Sequence, residues 1–152
     1  MALFWFPWNT IYSRLYLFES MKTCVLYFSQ TGNTKKFAET ISESLKIPAF
    51  NMTTSEPSVV DEFEAIILGT PVHGFNPSKE SLVFVESLPE GNGKKAILFC
   101  TCRLWKGRVF KKLEKELKKK SYITVCSVSA KGRELNTEDF SGAVCKIARA
   151  IE

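Results

Sequence analysis

From residue 21 onward the apolar and polar positions follow two alternating periods. "TCVLYF" (23–28) is a continuous apolar run, the pattern of a strand buried on both faces. Asn33 to Lys46 places Phe37, Ile41 and Leu45 four residues apart, which predicts a helix with one apolar face. "PAFNM" (48–52) reads as a short second strand, and "SEPSVVDEF" (55–63) has room for one or two helical turns. "EAIILG" (64–69), "KAILFCT" (95–101) and "YITVCSV" (122–128) read as the third, fourth and fifth strands. Three more helices are predicted: Ser78 to Leu88 around Leu82, Val85 and Leu88; Gly107 to Lys120 around Phe110, Leu113 and Leu117; and Thr137 to Ile151 around Phe140, Val144, Ile147 and Ile151.

Five strands alternating with helices, and strands that are apolar throughout, predict an α/β domain with a parallel sheet covered by helices on both faces. Right-handed crossovers and doubly wound connectivity give the order 2-1-3-4-5. That topology fixes where a ligand would sit. A crevice opens beyond the carboxyl ends of strands one and three, where the winding reverses.

Residues 1–20, "MALFWFPWNTIYSRLYLFES", break the pattern: they carry seven aromatics, one Arg and one Glu. No run reaches the roughly 18 apolar residues a membrane span needs, and the basic start and small-residue cleavage site of a signal peptide are absent. Three readings stand: an interfacial anchor with Trp5, Trp8, Tyr12 and Tyr16 at headgroup level, a segment packed on the domain or a partner, or upstream sequence that is not natively translated. Because Met21 directly precedes a clean strand, the segment is taken as outside the fold, and the domain as 21–152. With 45% hydrophobic and 24% charged residues, the whole sequence has ordinary soluble-globular composition. The five cysteines (24, 100, 102, 126, 145) contain no CxxC, so free buried thiols in a reducing cytoplasm are expected, with no metal site.

The chemistry concentrates after the first strand, in "SQTGNT" (29–34). Backbone N–H groups at a helix start lack partners and carry partial positive charge, so they bind phosphate. Ser29, Thr31 and Thr34 add hydroxyls, Asn33 adds an amide, and Gly32 lets the backbone curl close to an anion. The stretch is neither GxxxxGK[ST] nor GxGxxG, which argues against a nucleoside triphosphatase. The competing reading is a plain turn with Asn33 capping the helix.

"YFSQTGNT" directly after the first strand resembles the phosphate loop of flavodoxins. "GTPVHGFNPSKE" (69–80) and "FCTCRLWKG" (99–107) fall where that family carries its two flavin-ring loops. The resemblance covers about residues 21–152 and is nearest to the flavodoxin-like domains fused to ferredoxin modules in anaerobes; no ferredoxin cysteine cluster is present here. It implies a flavodoxin-like fold and FMN as cofactor. Ser29, Gln30, Thr31, Gly32, Asn33 and Thr34 would hold the phosphate. Thr70, Pro71, Val72, His73, Gly74, Phe75 and Asn76 would line one side of the isoalloxazine. Thr101, Cys102, Arg103, Leu104, Trp105 and Gly107 would line the other. Trp105 and Phe75 are the candidates to stack on the ring, and Gly74 could supply the peptide that flips in this family as the flavin is half reduced.

The sequence also departs from the family. Typical flavodoxins are acidic around the flavin, whereas these loops hold Arg103 and Lys106, with Arg108 just after and no Asp or Glu before Glu80; the net charge is +5. That predicts a less negative potential for full reduction and an acidic redox partner, such as a ferredoxin or a flavin or iron–sulfur oxidoreductase, met by electrostatic steering. The run "KKLEKELKKK" (111–120) reads as a solvated helix face. "RLWK" stands where the family has a tight Gly-Gly. Three functions compete: a single-electron carrier, which the short loops favour and which needs no catalytic residue; a small FMN-dependent NAD(P)H:quinone or related oxidoreductase; and a flavodoxin-shaped partner-binding module without FMN. Nucleic-acid binding is disfavoured, because the basic residues lack interleaved aromatics on one strand face.

Overall fold

The computed structural model describes residues 22–103, 105–131 and 140–151. The 1–20 segment, Leu104 and the first turn expected of the last helix therefore lie outside the described residues. Strand β1 (Thr23–Tyr27) leads into helix α1 (Asn33–Leu45) and strand β2 (Ala49–Asn51). A 3₁₀ turn (Pro57–Glu62) precedes β3 (Ala65–His73), β4 (Asn76–Pro77) and α2 (Lys79–Glu86). Then follow β5 (Lys95–Thr101), α3 (Val109–Lys119), β6 (Ile123–Ala130) and α4 (Ser141–Ile151).

The main strands are ordered β2-β1-β3-β5-β6 and all pair in parallel. Leaving out the two-residue β4, this is the doubly wound order expected from the sequence. β4 is the addition. It pairs antiparallel with the end of β3, Val72 with Pro77 and His73 with Asn76. β3 accordingly runs four residues beyond the apolar run "EAIILG", because its tail is held by a hairpin that hydrophobic periodicity does not signal.

The alternation of side chains splits the core in two. On one face Cys24, Leu26, Ile66, Leu68 and Leu98 pack under α2 and α3, through Phe84, Val85, Leu88, Phe110, Leu113 and Leu117. On the other, Val25, Ile67, Ile97 and Phe99 pack under α1 and α4, through Phe37, Ala38, Ile41, Phe140 and Ile147. Phe37 anchors this second core edge-on to both Phe99 and Phe140, with ring centres 4.7 and 4.6 Å away.

β6 corrects the expectation of strands covered on both faces. It is an edge strand whose first half leaves Ile123 56% and Val125 42% exposed. The register slips between Ala96 and Ile97, whose partners are Thr124 and Cys126. Val125 is thus the extra residue of a bulge, a common way to twist an edge away from further pairing. Cys24, Cys100 and Cys102 are buried free thiols as expected, but Cys126 is half-buried and Cys145 is exposed.

Candidate functional site

Three loops leave the carboxyl edge of the sheet and meet: the one after β1, the β3–β4 hairpin and the one after β5. Between them lies a cavity of about 440 Å³ lined by Gln30, Thr31, Asn33, Pro71, Val72, Gly74, Phe75, Thr101, Cys102, Arg103 and Trp105. Its size falls within the roughly 300–1,000 Å³ of small-molecule sites.

The loop after β1 leaves the start of α1 without a side-chain cap. Gly32, not Asn33, is the N-cap of α1, in a left-handed conformation with φ 98°. Glycine has no side chain with which to cap, so the N–H groups of the first turn are left for a ligand. A β-carbon at Gly32 would meet nothing within 4 Å, so the space above it is open. The Ser29 hydroxyl accepts from the Gly32 N–H at 3.0 Å and closes the turn, leaving its own hydrogen to donate. No acidic residue sits in the first turn of α1 to compete with an anion. Thr34 plays another part than its hydroxyl suggests. Its side chain is buried and lies 2.7 Å from the Thr101 hydroxyl, so what it offers the cavity is its backbone N–H.

The β3–β4 hairpin forms one wall. Gly74 and Phe75 both have positive φ, 54° and 67°, as the two central residues of a tight type I′ turn require. The Asn76 side chain donates to the Gly74 carbonyl at 3.1 Å and holds the turn. Beneath it, Thr70 is buried. Its hydroxyl accepts from the Ser78 N–H at 3.2 Å and the Ser81 hydroxyl at 2.9 Å, while Ser78 caps α2 by accepting from the Ser81 N–H at 3.2 Å. Sequence reasoning missed Ser78 and Ser81. The signal was there, in a serine immediately before a helical apolar run with a second polar residue three positions on. His73 is exposed and does not line the cavity; it pairs with Asn76 through the strand ladder.

The loop after β5 is pinned to that hairpin. The Arg108 N–H donates to the Phe75 carbonyl at 2.8 Å. Gly107, with φ 59°, passes so close that a β-carbon there would stand 2.4 Å from the Phe75 oxygen. The Phe75 and Trp105 rings meet at 5.2 Å between centroids, tilted by 56°, and both side chains are more than half exposed. Arg103 lines the cavity, while the Lys106 ammonium lies 5.3 Å from the Phe110 ring centre. Cys102 sits in the wall with its N–H donating to Ala130 at 3.0 Å. Behind it the Cys100 thiol is pushed up to about 12, chiefly by burial and then by Cys102 beside it, so it stays protonated.

The assembled groove has an uncapped helix start at α1, an aromatic end at Phe75 and Trp105, and a cationic side at Arg103. The sequence profile of the flavodoxin domain matches residues 24–141. The chain belongs to the flavodoxin family. A flavodoxin of Clostridium saccharobutylicum is 33% identical over 89 residues, 53% of this chain and 56% of that protein, so this chain spans just over half the length of that relative. Among solved structures, Megasphaera elsdenii flavodoxin in its two-electron reduced form superposes with a TM-score of 0.69 at 18% identity, covering 86% of this chain and 99% of that one. General stress protein 14 of Treponema denticola, in complex with FMN, superposes with a TM-score of 0.64 at 10% identity, covering 86% and 99%. At those identities the two structures speak to the shared fold. Among the described residues no helix is long and apolar enough to cross a membrane.

Proposed function

We propose that this flavodoxin-family chain binds FMN in the cavity at the carboxyl edge of its sheet and carries single electrons between redox proteins. One observation carries the reading. The loops after β1, β3 and β5 converge on a single groove whose two ends differ in chemistry as the two ends of FMN do. The open N-terminus of α1, with Gln30, Thr31 and Asn33 beside it, suits a phosphate monoester. Phe75 and Trp105 suit a flat heteroaromatic ring. Pro71, Val72, Gly74 and Cys102 supply walls that exclude water from one side of it.

FMN, when bound, supplies the electron-transfer chemistry. Gln30, Thr31 and Asn33 would hold its phosphate, and Phe75 and Trp105 would orient its ring.

The test is reconstitution. Purified protein mixed with FMN should stay yellow through gel filtration, and calorimetry should give one site per chain. Photoreduced holoprotein should then hand electrons to an external acceptor protein. Rapid bleaching of the flavin by NADH or NADPH alone would instead make it a reductase, and no heat on adding FMN would end the flavin reading altogether.

A further inference from the structure

The charge of this chain is divided very unevenly. Residues 103–120 carry nine Lys and Arg against two Glu, a local excess of +7, while the whole chain is only +5; the remainder is therefore −2. The local structure puts this excess on one surface. At 100° per residue, Arg108, Lys111, Lys112, Lys115, Lys118 and Lys119 fall within an arc of about 120° on the side of α3 opposite its buried Val109, Phe110, Leu113 and Leu117. All six are exposed. The two acids, Glu114 and Glu116, fall at the edges of the arc, and among the described residues Lys119–Glu116 at 3.1 Å is the ion pair on it. Lysines three and four apart along this face repel one another and weaken the helix, so the stripe is not a device for stabilising α3.

Its position suggests what it is for. α3 starts directly after the loop that carries Arg103 and Trp105 to the cavity, with the exposed Lys106 between that loop and the helix, and its 11 residues extend the basic surface about 16 Å from there. From this we infer that the outer face of α3, continued by Arg103 and Lys106, docks a carboxylate-rich face of an acidic redox protein, with the partner's cofactor facing the cavity mouth. The inference rests on the carrier reading for its redox part. An acidic protein is the occupant because the stripe is compact and ends at the site from which electrons leave, so docking there brings two redox groups together.

The experiment uses FMN-loaded protein and a small acidic [2Fe–2S] ferredoxin as probe, with electron transfer followed by stopped flow across a range of ionic strengths. The wild-type rate constant should fall steeply with salt. Lys111→Glu/Lys115→Glu/Lys119→Glu should slow transfer on the order of tenfold or more at low salt and converge with wild type at high salt. FMN affinity should not change, since none of the three lines the cavity. Lys115→Glu alone should slow transfer, and Lys146→Glu on α4, an equal change in net charge, should not. Equal rates and equal salt slopes in wild type and triple variant overturn the proposal. So does tighter binding to oligodeoxythymidine or phosphatidylserine vesicles than to the ferredoxin, lost in the same triple variant. If the chain takes up no FMN, the carrier reading fails separately. The docking surface is then decided by amide shifts on adding oxidised ferredoxin: shifts at 111, 115 and 119 sustain it, and their absence overturns it.

Discussion

The hydroxyls of Thr34 and Thr101 lie 2.7 Å apart, both buried, and join the first turn of α1 to the last residue of β5. This bond ties the α1 side of the groove to its β5 side across the sheet. Removing one partner leaves the other as a buried hydroxyl with nothing to bond. Thr34→Val and Thr101→Val should therefore each cost about 1–2 kcal/mol. The double variant should cost clearly less than the sum, because both unsatisfied groups are gone. Urea unfolding of the four proteins gives the cycle, and strictly additive losses would mean the hydroxyls do not interact.

Two glycines near the groove should respond to alanine for different reasons. At Gly107 the new methyl would stand 2.4 Å from the Phe75 carbonyl oxygen, a backbone atom that cannot step aside. Gly107→Ala should lose about 2 kcal/mol of stability and change Trp105 fluorescence as the two loops part. At Gly32 nothing stands within 4 Å, so Gly32→Ala should cost about 1 kcal/mol for its positive φ. Its methyl would, however, fill the open space that the proposed function gives to the phosphate. FMN affinity should fall by on the order of tenfold or more, while riboflavin, which lacks the phosphate, should bind as before. Equal losses for the two flavins would place the phosphate elsewhere.

The sheet order was legible because β1, β3 and β5 are buried on both faces and so read as unbroken apolar runs. α1 and α3 were legible from the spacing of Phe37 and Ile41, and of Phe110, Leu113 and Leu117. β4 was not legible. A two-residue strand ending in Pro77 has no period to detect, and only the glycine in "HGFN" hinted at the turn. The exposed face of β6 was hidden for a related reason: Ile123 and Val125 are as apolar as core residues, and sequence alone does not say which strand lies at an edge. Within the groove, Gln30, Thr31 and Asn33 could be read from a local motif. The inward turn of Thr34 could not, since its partner Thr101 is 67 residues away.

Arg103 lines the groove, and none of the described residues lining it is acidic. A cation about 8 Å from an anionic reduced flavin, at an effective dielectric near 40, is worth about 1 kcal/mol. For a one-electron couple that corresponds to some 40 mV. Arg103→Gln should accordingly shift the second reduction step more negative by a few tens of millivolts, and raised salt should shrink the difference. Spectroelectrochemical titration of both holoproteins measures it. An unchanged or less negative potential in the variant would exclude Arg103 as a tuning charge.

Above neutral pH, stability should follow the buried thiols. Burial pushes the Cys24 thiol up to about 12, partly offset by Lys94, and burial together with Cys102 does the same to Cys100. Burial likewise lifts the Tyr122 hydroxyl, which donates to the Pro89 carbonyl, up to about 12. Below pH 9 the folded and unfolded chains both keep the two thiol protons, and these groups give no pH dependence. Between pH 9 and about 12 the unfolded chain releases protons that the folded chain retains, so stability falls as the pH rises, and the decline levels off above that. Each such thiol steepens the slope by up to about 1.4 kcal/mol per pH unit. Urea midpoints measured from pH 8 to the alkaline limit should therefore drop progressively from about pH 9. Cys24→Ala/Cys100→Ala should start from a lower stability, because two buried sulfurs are lost, yet decline with a visibly shallower slope. A variant whose slope matches that of the wild type would show that other groups release the protons.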